Sequence, residues 1–185
     1  GRGDWAHGAT IIQDVAVHSM SLTDHVVICG FGRVGRRIAE FLKLENIAFI
    51  GLDADPQAID KARSRGENVV FGNADRAEVL IAAGIGRARA VVVSYPDAHS
   101  AERVVRFIRA KNHSVPIIVR TSDDKDVGRL RAAGATEVIP EVLESGLVIA
   151  AETLVAAGIS TRKAMNHLAE ARASRDASLR PSAES

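Results

Sequence analysis

A chain of 185 residues, 46% hydrophobic and 25% charged, has the size of one domain with appendages and can bury a single core. Its 24 basic and 23 acidic residues are interleaved along the chain and leave a net charge of +1, which argues against nucleic acid or an anionic membrane surface as a partner. A single cysteine excludes a disulfide framework and fits a reducing compartment, and neither a signal peptide nor a run of 18 apolar residues is visible.

The first 24 residues hold three glycines, the lone Trp5 and a short apolar patch at Ile11, Ile12, Val15 and Val17. They do not add up to a core element, and residues 1–24 read as a linker. From His25 the pattern changes. Val26, Val27, Ile28 and Cys29 form an apolar run with the length of a buried strand, and Cys29 reads as a small core residue. The run breaks at Gly30-Phe31-Gly32-Arg33-Val34-Gly35, beyond which Val34, Ile38, Phe41 and Leu42 recur at helical spacing. A second buried strand, Phe49-Ile50-Gly51-Leu52, ends in Asp53, 18 positions after Gly35 and near the ~20 expected of a ribose-binding acid.

Each part of this stretch has a physical reason. Gly30 permits the tight turn, Gly32 clears the approach of a phosphate to the backbone, and Gly35 lets the helix pack close to the strand. The first N–H groups of the helix lack intrahelical partners and carry the positive end of its dipole, so an anion is well placed there. Arg33 can close over a phosphate, and Asp53 can accept hydrogen bonds from ribose hydroxyls.

Strand and helix continue to alternate. Asp55-Pro56 caps and starts a helix that stops at Gly66, and Val69-Val70-Phe71 is a third strand. The turn Gly72-Asn73-Ala74-Asp75 leads to a helix with a capping-box pattern, Asp75 with Glu78. Ala90–Val93 is a fourth strand ending at Ser94 and Tyr95, and a helix with Ala101, Val104, Val105 and Ile108 on one side follows it. Ile117-Ile118-Val119, closed by Arg120, is the fifth; a helix from about Asp123 to Ala133 and a short strand at Glu137–Ile139 complete the series. The alternation predicts an α/β fold, a Rossmann-like doubly wound parallel sheet of order 3-2-1-4-5-6 over residues 25–140.

Pro140 opens a helix over 140–157 that is apolar on nearly every side, through Val142, Leu143, Leu147, Val148, Ile149, Leu154 and Val155. One sheet face cannot bury all of these, so a partner subunit is expected to cover the rest. A shorter helix capped by Ser160 runs to about Arg172, within an appendage of residues 141–173, and residues 174–185 have the polarity of a disordered tail.

Catalytic chemistry is not in view. The six histidines show no metal-ligand spacing, no metal is predicted, and neither a G-x-S-x-G nor a G-x-x-x-x-G-K-[ST] motif occurs. Tyr95 and His99 follow a strand end that faces the crevice, but the roughly 45 residues after the sixth strand are too few for a substrate domain. Binding without turnover is the better reading. Asn73, Ser94 and Arg120, at three strand ends, can reach a ligand in the crevice, and Arg120 can instead pair with an acid such as Glu141.

With these residues in view, the chain resembles the RCK or TrkA-N family over roughly His25 to Val155. The motifs that carry the resemblance are DHVVICGFGRVG, GLDADP, VVFGNADR, VPIIVRTSD and LRAAGATEVI. It is most similar to the C-terminal domains of Kef-type cation/proton antiporters. The resemblance implies AMP, ATP, ADP or NAD(H) in the cleft, with Gly30, Phe31, Gly32, Arg33, Val34 and Gly35 around the phosphate. It implies ribose at Asp53, with Ala54 and Asp55 beside it, and adenine near Asn73 and Ala74. It also implies a homodimer through the helix 140–157, a transporter region upstream in the same polypeptide, and a place at the cytoplasmic face of the membrane. Arg120 matches an arginine that holds glutathione in some members, but STRKAMNHLAEAR does not supply the matching helix residues. The rival readings are a free-standing peripheral NAD-binding subunit of a potassium uptake system and a small NAD-dependent oxidoreductase.

Overall fold

The computed structural model describes residues 2–94 and 97–179. Six parallel strands form one sheet: β1 (Val26–Cys29), β2 (Phe49–Asp53), β3 (Val69–Phe71), β4 (Ala90–Val93), β5 (Ile117–Thr121) and β6 (Glu137–Pro140). Their order is β3-β2-β1-β4-β5-β6, as the alternation predicts. Successive parallel strands need crossovers, and the helices α2 (Gly32–Leu44), α3 (Pro56–Ser64), α4 (Ala77–Ala82), α5 (Ala98–Lys111) and α6 (Val127–Ala133) supply them.

Side chains alternate between two cores. Val27, Cys29, Ile50, Leu52, Val91, Val93, Ile117 and Val119 face one side and pack with Leu80, Val104, Ile108 and Leu130 from the α4, α5 and α6 layer. Val26, Ile28, Phe49 and Val69 face the other, beneath Ala39 of α2 and Ile59 and Ala62 of α3. Burial pushes the Cys29 thiol up to about 12, consistent with a core residue and not a nucleophile. Phe41, placed by spacing on the inner stripe of α2, is instead 63% exposed; the buried side of that helix carries Gly35 and Ala39, small residues that bring it close to the sheet.

The reading of residues 1–24 as a linker without a core element needs correction. Arg2–Ser19 is a helix, α1, packed along α4 and β3. Its Val15 is fully buried and lies against Gly72, where an added Cβ would stand 3.4 Å from Val15 Cγ2 and 2.9 Å from Val79 Cγ1. The end of α1 is stapled to the turn after α4. Arg87 donates to the carbonyls of Ser19 (2.9 Å) and Leu22 (2.7 Å), the Ser19 hydroxyl donates to the Ala82 carbonyl, and the Nε2 of buried His25 bonds the Ala83 carbonyl at 2.8 Å. Burial lowers the His25 pKa, so the ring stays neutral at physiological pH.

Two other boundaries also shift. Asp75 and Glu78 do not form a capping box: Asn73 Oδ1 accepts the Asp75 N–H at 2.9 Å, that turn delays the helix, and Arg76 stands at its N-cap without a side-chain bond. At the C-terminus, α7 (Glu141–Ala156) is followed by α8 (Thr161–Leu179), so the helix expected to stop near Arg172 continues through part of the predicted tail. Arg172 and Arg175 grip Glu144 at 2.6 and 3.0 Å and fasten α8 across α7; the Arg172 hydrogen bonds are the main reason the Glu144 carboxyl sits below its usual value. Residues 180–185 lie outside the described residues.

If α1 belongs to the core, Val15→Ala should destabilise the chain by about 2 kcal/mol, the scale of losing two buried methyl groups. Val17→Ala, on the same helix but 57% exposed, should change stability by less than ~0.5 kcal/mol. Urea unfolding of the two variants measures the difference, and a free linker would leave both at the parent midpoint.

Candidate functional site

A cleft of about 400 Å³ opens at the carboxyl ends of β1, β4 and β5, where the strand order reverses, the usual ligand position in a doubly wound sheet. It is lined by Gly30, Phe31, Gly32, Arg33, Val34, Asp53, Ser94 and Arg120. Eight of the thirteen candidate residues therefore meet in one place.

The glycine turn has the shape its composition predicts. Gly30 has φ +84°, and a Cβ there would lie 2.8 Å from the Ser94 carbonyl oxygen, so β1 and the end of β4 approach too closely for any other residue. Gly32 has φ +43° with nothing within 4 Å of a built Cβ, which leaves the approach to the backbone open. The start of α2 carries no acidic residue in its first turn and no side-chain cap. The Asp53 carboxylate takes the N-cap amide of Phe31, and the next N–H groups, at Gly32, Arg33 and Val34, face the cleft at the positive end of the dipole of thirteen residues. Among the described residues the exposed Arg33 forms no hydrogen bond or ion pair, and its charge is available at the rim.

Asp53 does more than wait for a ligand. One carboxylate oxygen accepts the Phe31 N–H at 2.8 Å and the other accepts the Asp55 N–H at 2.8 Å, which ties the end of β2 to the glycine turn. Each oxygen keeps a lone pair for a hydroxyl donor. Phe31 enters the site through its backbone; its ring is buried, stacks on Phe49 at 6.4 Å between centroids, and fills the space above Gly35 and Gly51. Built Cβ atoms at those two glycines would stand 2.9 and 2.7 Å from the ring, so Gly35 makes room for Phe31 and not directly for the strand. Spacing alone missed this role, although a phenylalanine between two motif glycines with a further glycine in the next strand is a readable sign of it.

The other candidates lie apart from the cleft. Ala54 and Asn73 line a neighbouring cavity, Ala74 is fully buried in the core, and Asp55 caps α3 by accepting the Gln57 N–H at 3.0 Å. Arg120 is engaged with Glu141 at 2.6 Å, one of the alternatives its position left open, and so joins the cleft to the first turn of α7. His99 lines a separate polar cavity with Asp97, Asp123 and Arg129, and Tyr95 lies outside the described residues. The exposed Asp97 caps α5 by accepting the His99 N–H at 3.0 Å, and that bond is the first cause of its lowered pKa. Among the described residues no group of three or more His, Cys, Asp or Glu could hold a metal ion, and no helix is long and apolar enough to cross a membrane.

A crevice at the switch point, a glycine turn feeding a helix N-terminus and an acid at the end of the second strand together define a nucleotide-binding type of Rossmann domain. The chain belongs to the TrkA-N domain family, whose model matches residues 26–141. It is 36% identical over 182 residues to a protein of Alkalimonas amylolytica that carries the name K(+) efflux antiporter KefB, covering 96% of this chain and 27% of that protein. Among solved structures it is similar to the Kef C-terminal domain of Shewanella denitrificans in an AMP-bound form, with 25% identity and a TM-score of 0.72 over 84% of this chain and 94% of that one. The TrkA-N domain of the inner membrane protein YbaL of Escherichia coli aligns with 28% identity and a TM-score of 0.66, covering 70% of this chain and 96% of that one. The chain thus spans about a quarter of the length of its antiporter relative.

Gly30→Ala tests the turn. A left-handed backbone costs an L-residue roughly 1–2 kcal/mol, and the Ser94 contact adds to it. We expect a loss of at least ~2 kcal/mol in urea unfolding, against less than ~0.5 kcal/mol for Gly86→Ala, where a Cβ meets nothing within 4 Å.

Proposed function

We propose that this chain is the nucleotide-sensing regulatory domain of a potassium/proton antiporter, at the cytoplasmic face of the membrane and joined to a transporter region in one polypeptide. The observation that carries the reading is the cradle formed by the glycine turn, the free start of α2 and Asp53, in a cleft whose lining among the described residues holds no general acid or base beside the carboxylate that fastens the turn. In this reading the site holds a nucleotide without transforming it. The AMP-bound Kef domain and the antiporter relative support the ligand class and the transporter context.

In this reading the phosphate meets the N–H groups of Gly32, Arg33 and Val34 with Arg33 over it, the ribose hydroxyls donate to Asp53, and Ser94 lines the inner wall. AMP, ADP, ATP and NAD(H) share these groups. A 2′-phosphate would instead face the Asp53 carboxylate. Two unit charges ~4 Å apart repel by about 4 kcal/mol at an effective dielectric of 20, and a tenfold loss needs only about 1.4. Titration calorimetry should therefore give NADP(H) at least tenfold weaker affinity than NAD(H). Asp53→Asn, which removes the charge, should narrow that gap; equal affinity of the unaltered chain for both cofactors would remove Asp53 from the ribose site.

The same reading includes a homodimer through α7. Of its sixteen residues only Ala151 is buried, while Val142, Val148 and Ile149 are 64%, 46% and 65% exposed. On the α2 and α3 side of the sheet, Val92 and Ile118 are only half-buried and Ile139 is 36% exposed, so the apolar surface continues from α7 across β6. Leu147 and Leu154 lie in the groove against α8 and are the wrong residues to probe. Replacing Val148 and Ile149 with Asp should convert a dimer to a folded monomer in sedimentation; a monomeric parent at micromolar concentration would overturn this part.

A further inference from the structure

A second cavity, about 460 Å³, adjoins the cleft and differs from it in kind. Its walls are mostly apolar, with Ile11 and Ile12 of α1 on one side and Phe71 and Val79 on the other. Polar groups come from Asn73, Arg76 and His7. The two spaces meet at consecutive residues: Asp53 lines the cleft and Ala54 the cavity, and their Cα atoms are necessarily about 3.8 Å apart. Asp53 and Phe71 are also register partners in the β2–β3 pair, and the Gly72 N–H donates to the Asp53 carbonyl at 2.9 Å.

This arrangement fits a flat aromatic base with polar edges. A nucleotide whose phosphate lies at Gly32 and whose ribose lies at Asp53 must project its base past Ala54, where the short side chain leaves the way open. Asn73 Oδ1 is committed to the Asp75 N–H, so the carboxamide presents its Nδ2 donors, and among the described residues those have no partner. A purine edge carries ring-nitrogen acceptors that match them. The apolar sides of Ile11, Phe71 and Val79 are suited to the two faces of the base.

The wall contributed by α1 has a further property. This helix of eighteen residues spans about 27 Å, enough to cross the sheet from one strand edge to the other. Its C-terminal end is pinned through Ser19, Leu22 and His25 to Ala82, Ala83 and Arg87, whereas His7 and Gly8 near the other end line the cavity, and among the described residues the His7 ring makes no side-chain hydrogen bond or ion pair. One end is fixed, and the other borders a space large enough for a ligand.

Resting on the nucleotide-sensing reading, we propose that the N-terminal half of α1 forms the outer wall of the purine pocket, so that base binding fastens this helix to the sheet and α1 reports occupancy to whatever chain adjoins it. His7 and Ile11 are then specificity-determining residues for the base, and the helix is the element that a bound nucleotide moves from loosely to firmly docked. By linkage, firm docking of α1 tightens the nucleotide by the same factor.

The test uses the whole chain with AMP and ribose 5-phosphate, which share phosphate and ribose and differ in the base. Gly8 lines the cavity, a built Cβ there meets nothing within 4 Å, and glycine is a poor helix former, so Gly8→Leu fills the space while favouring the helix. By calorimetry it should bind AMP at least tenfold more weakly than the parent and ribose 5-phosphate equally well. In the unaltered chain, AMP and not ribose 5-phosphate should slow amide hydrogen exchange across residues 8–19. Parental AMP affinity in Gly8→Leu, or exchange in 8–19 that AMP does not change, would overturn the proposal while leaving the cradle intact. Failure of the unaltered chain to bind AMP at all would overturn the sensor reading and this proposal with it.

Discussion

The Asp53 carboxylate is the fastening on which the candidate site depends. By accepting the N–H groups of Phe31 and Asp55, both at 2.8 Å, it joins the end of β2 to the turn that follows β1. A hydrogen bond to an ionised acceptor contributes more than a neutral one, and here two converge on one side chain. They hold the backbone of the glycine turn in the conformation that presents the start of α2 to the cleft. The residue proposed to hold ribose is thus also the one that shapes the phosphate site, and the two halves of the cradle are not independent.

Packing completes the constraint. Phe31 is held at its amide by Asp53 and at its ring by Phe49, Gly35 and Gly51, which leave no room for a Cβ. The ring therefore acts as a spacer that sets the distance from α2 to the sheet. On the opposite face, Gly72 admits Val15 of α1 and Val79 of α4 into the same few ångströms. Each core reaches the carboxyl edge of the sheet through a glycine, and each glycine brings a different wall of the binding region into place: the phosphate turn on one side, the base cavity on the other. Arg120, paired with Glu141, extends the frame to α7 and its exposed apolar surface.

Much of this was legible in residues alone, and the limits have physical causes. Buried parallel strands are short unbroken apolar runs, so the inner strands were visible, and the alternation of all six with helices dictated the strand order. The glycine turn and Asp53 were legible because backbone geometry restricts which residues can stand there. α1 was not: two of its eighteen residues are glycine, its apolar positions are few, and its burial depends on Val15 meeting Gly72 some sixty residues away. The supporting role of the Phe31 ring was not legible, because spacing cannot tell a side chain that lines a cleft from one that supports it. The start of α4 slipped because Asn73 competes with the helix for the Asp75 N–H, a contest between two local hydrogen-bond patterns that sequence allows equally. Val142, Val148 and Ile149 were recognised as more apolar than one sheet face could cover, and they remain exposed in the single chain.

The central claim is that the open N-terminus of α2 is the anion site of a nucleotide cradle. Nuclear magnetic resonance of the 15N-labelled chain titrated with AMP addresses it directly. The account predicts the largest amide shifts at Gly32, Arg33 and Val34, with those of Phe31 and Asp55 moving in step as Asp53 takes up the ribose hydroxyls. Saturating AMP that leaves the Gly32, Arg33 and Val34 amides unshifted, while perturbing a different surface, would contradict it.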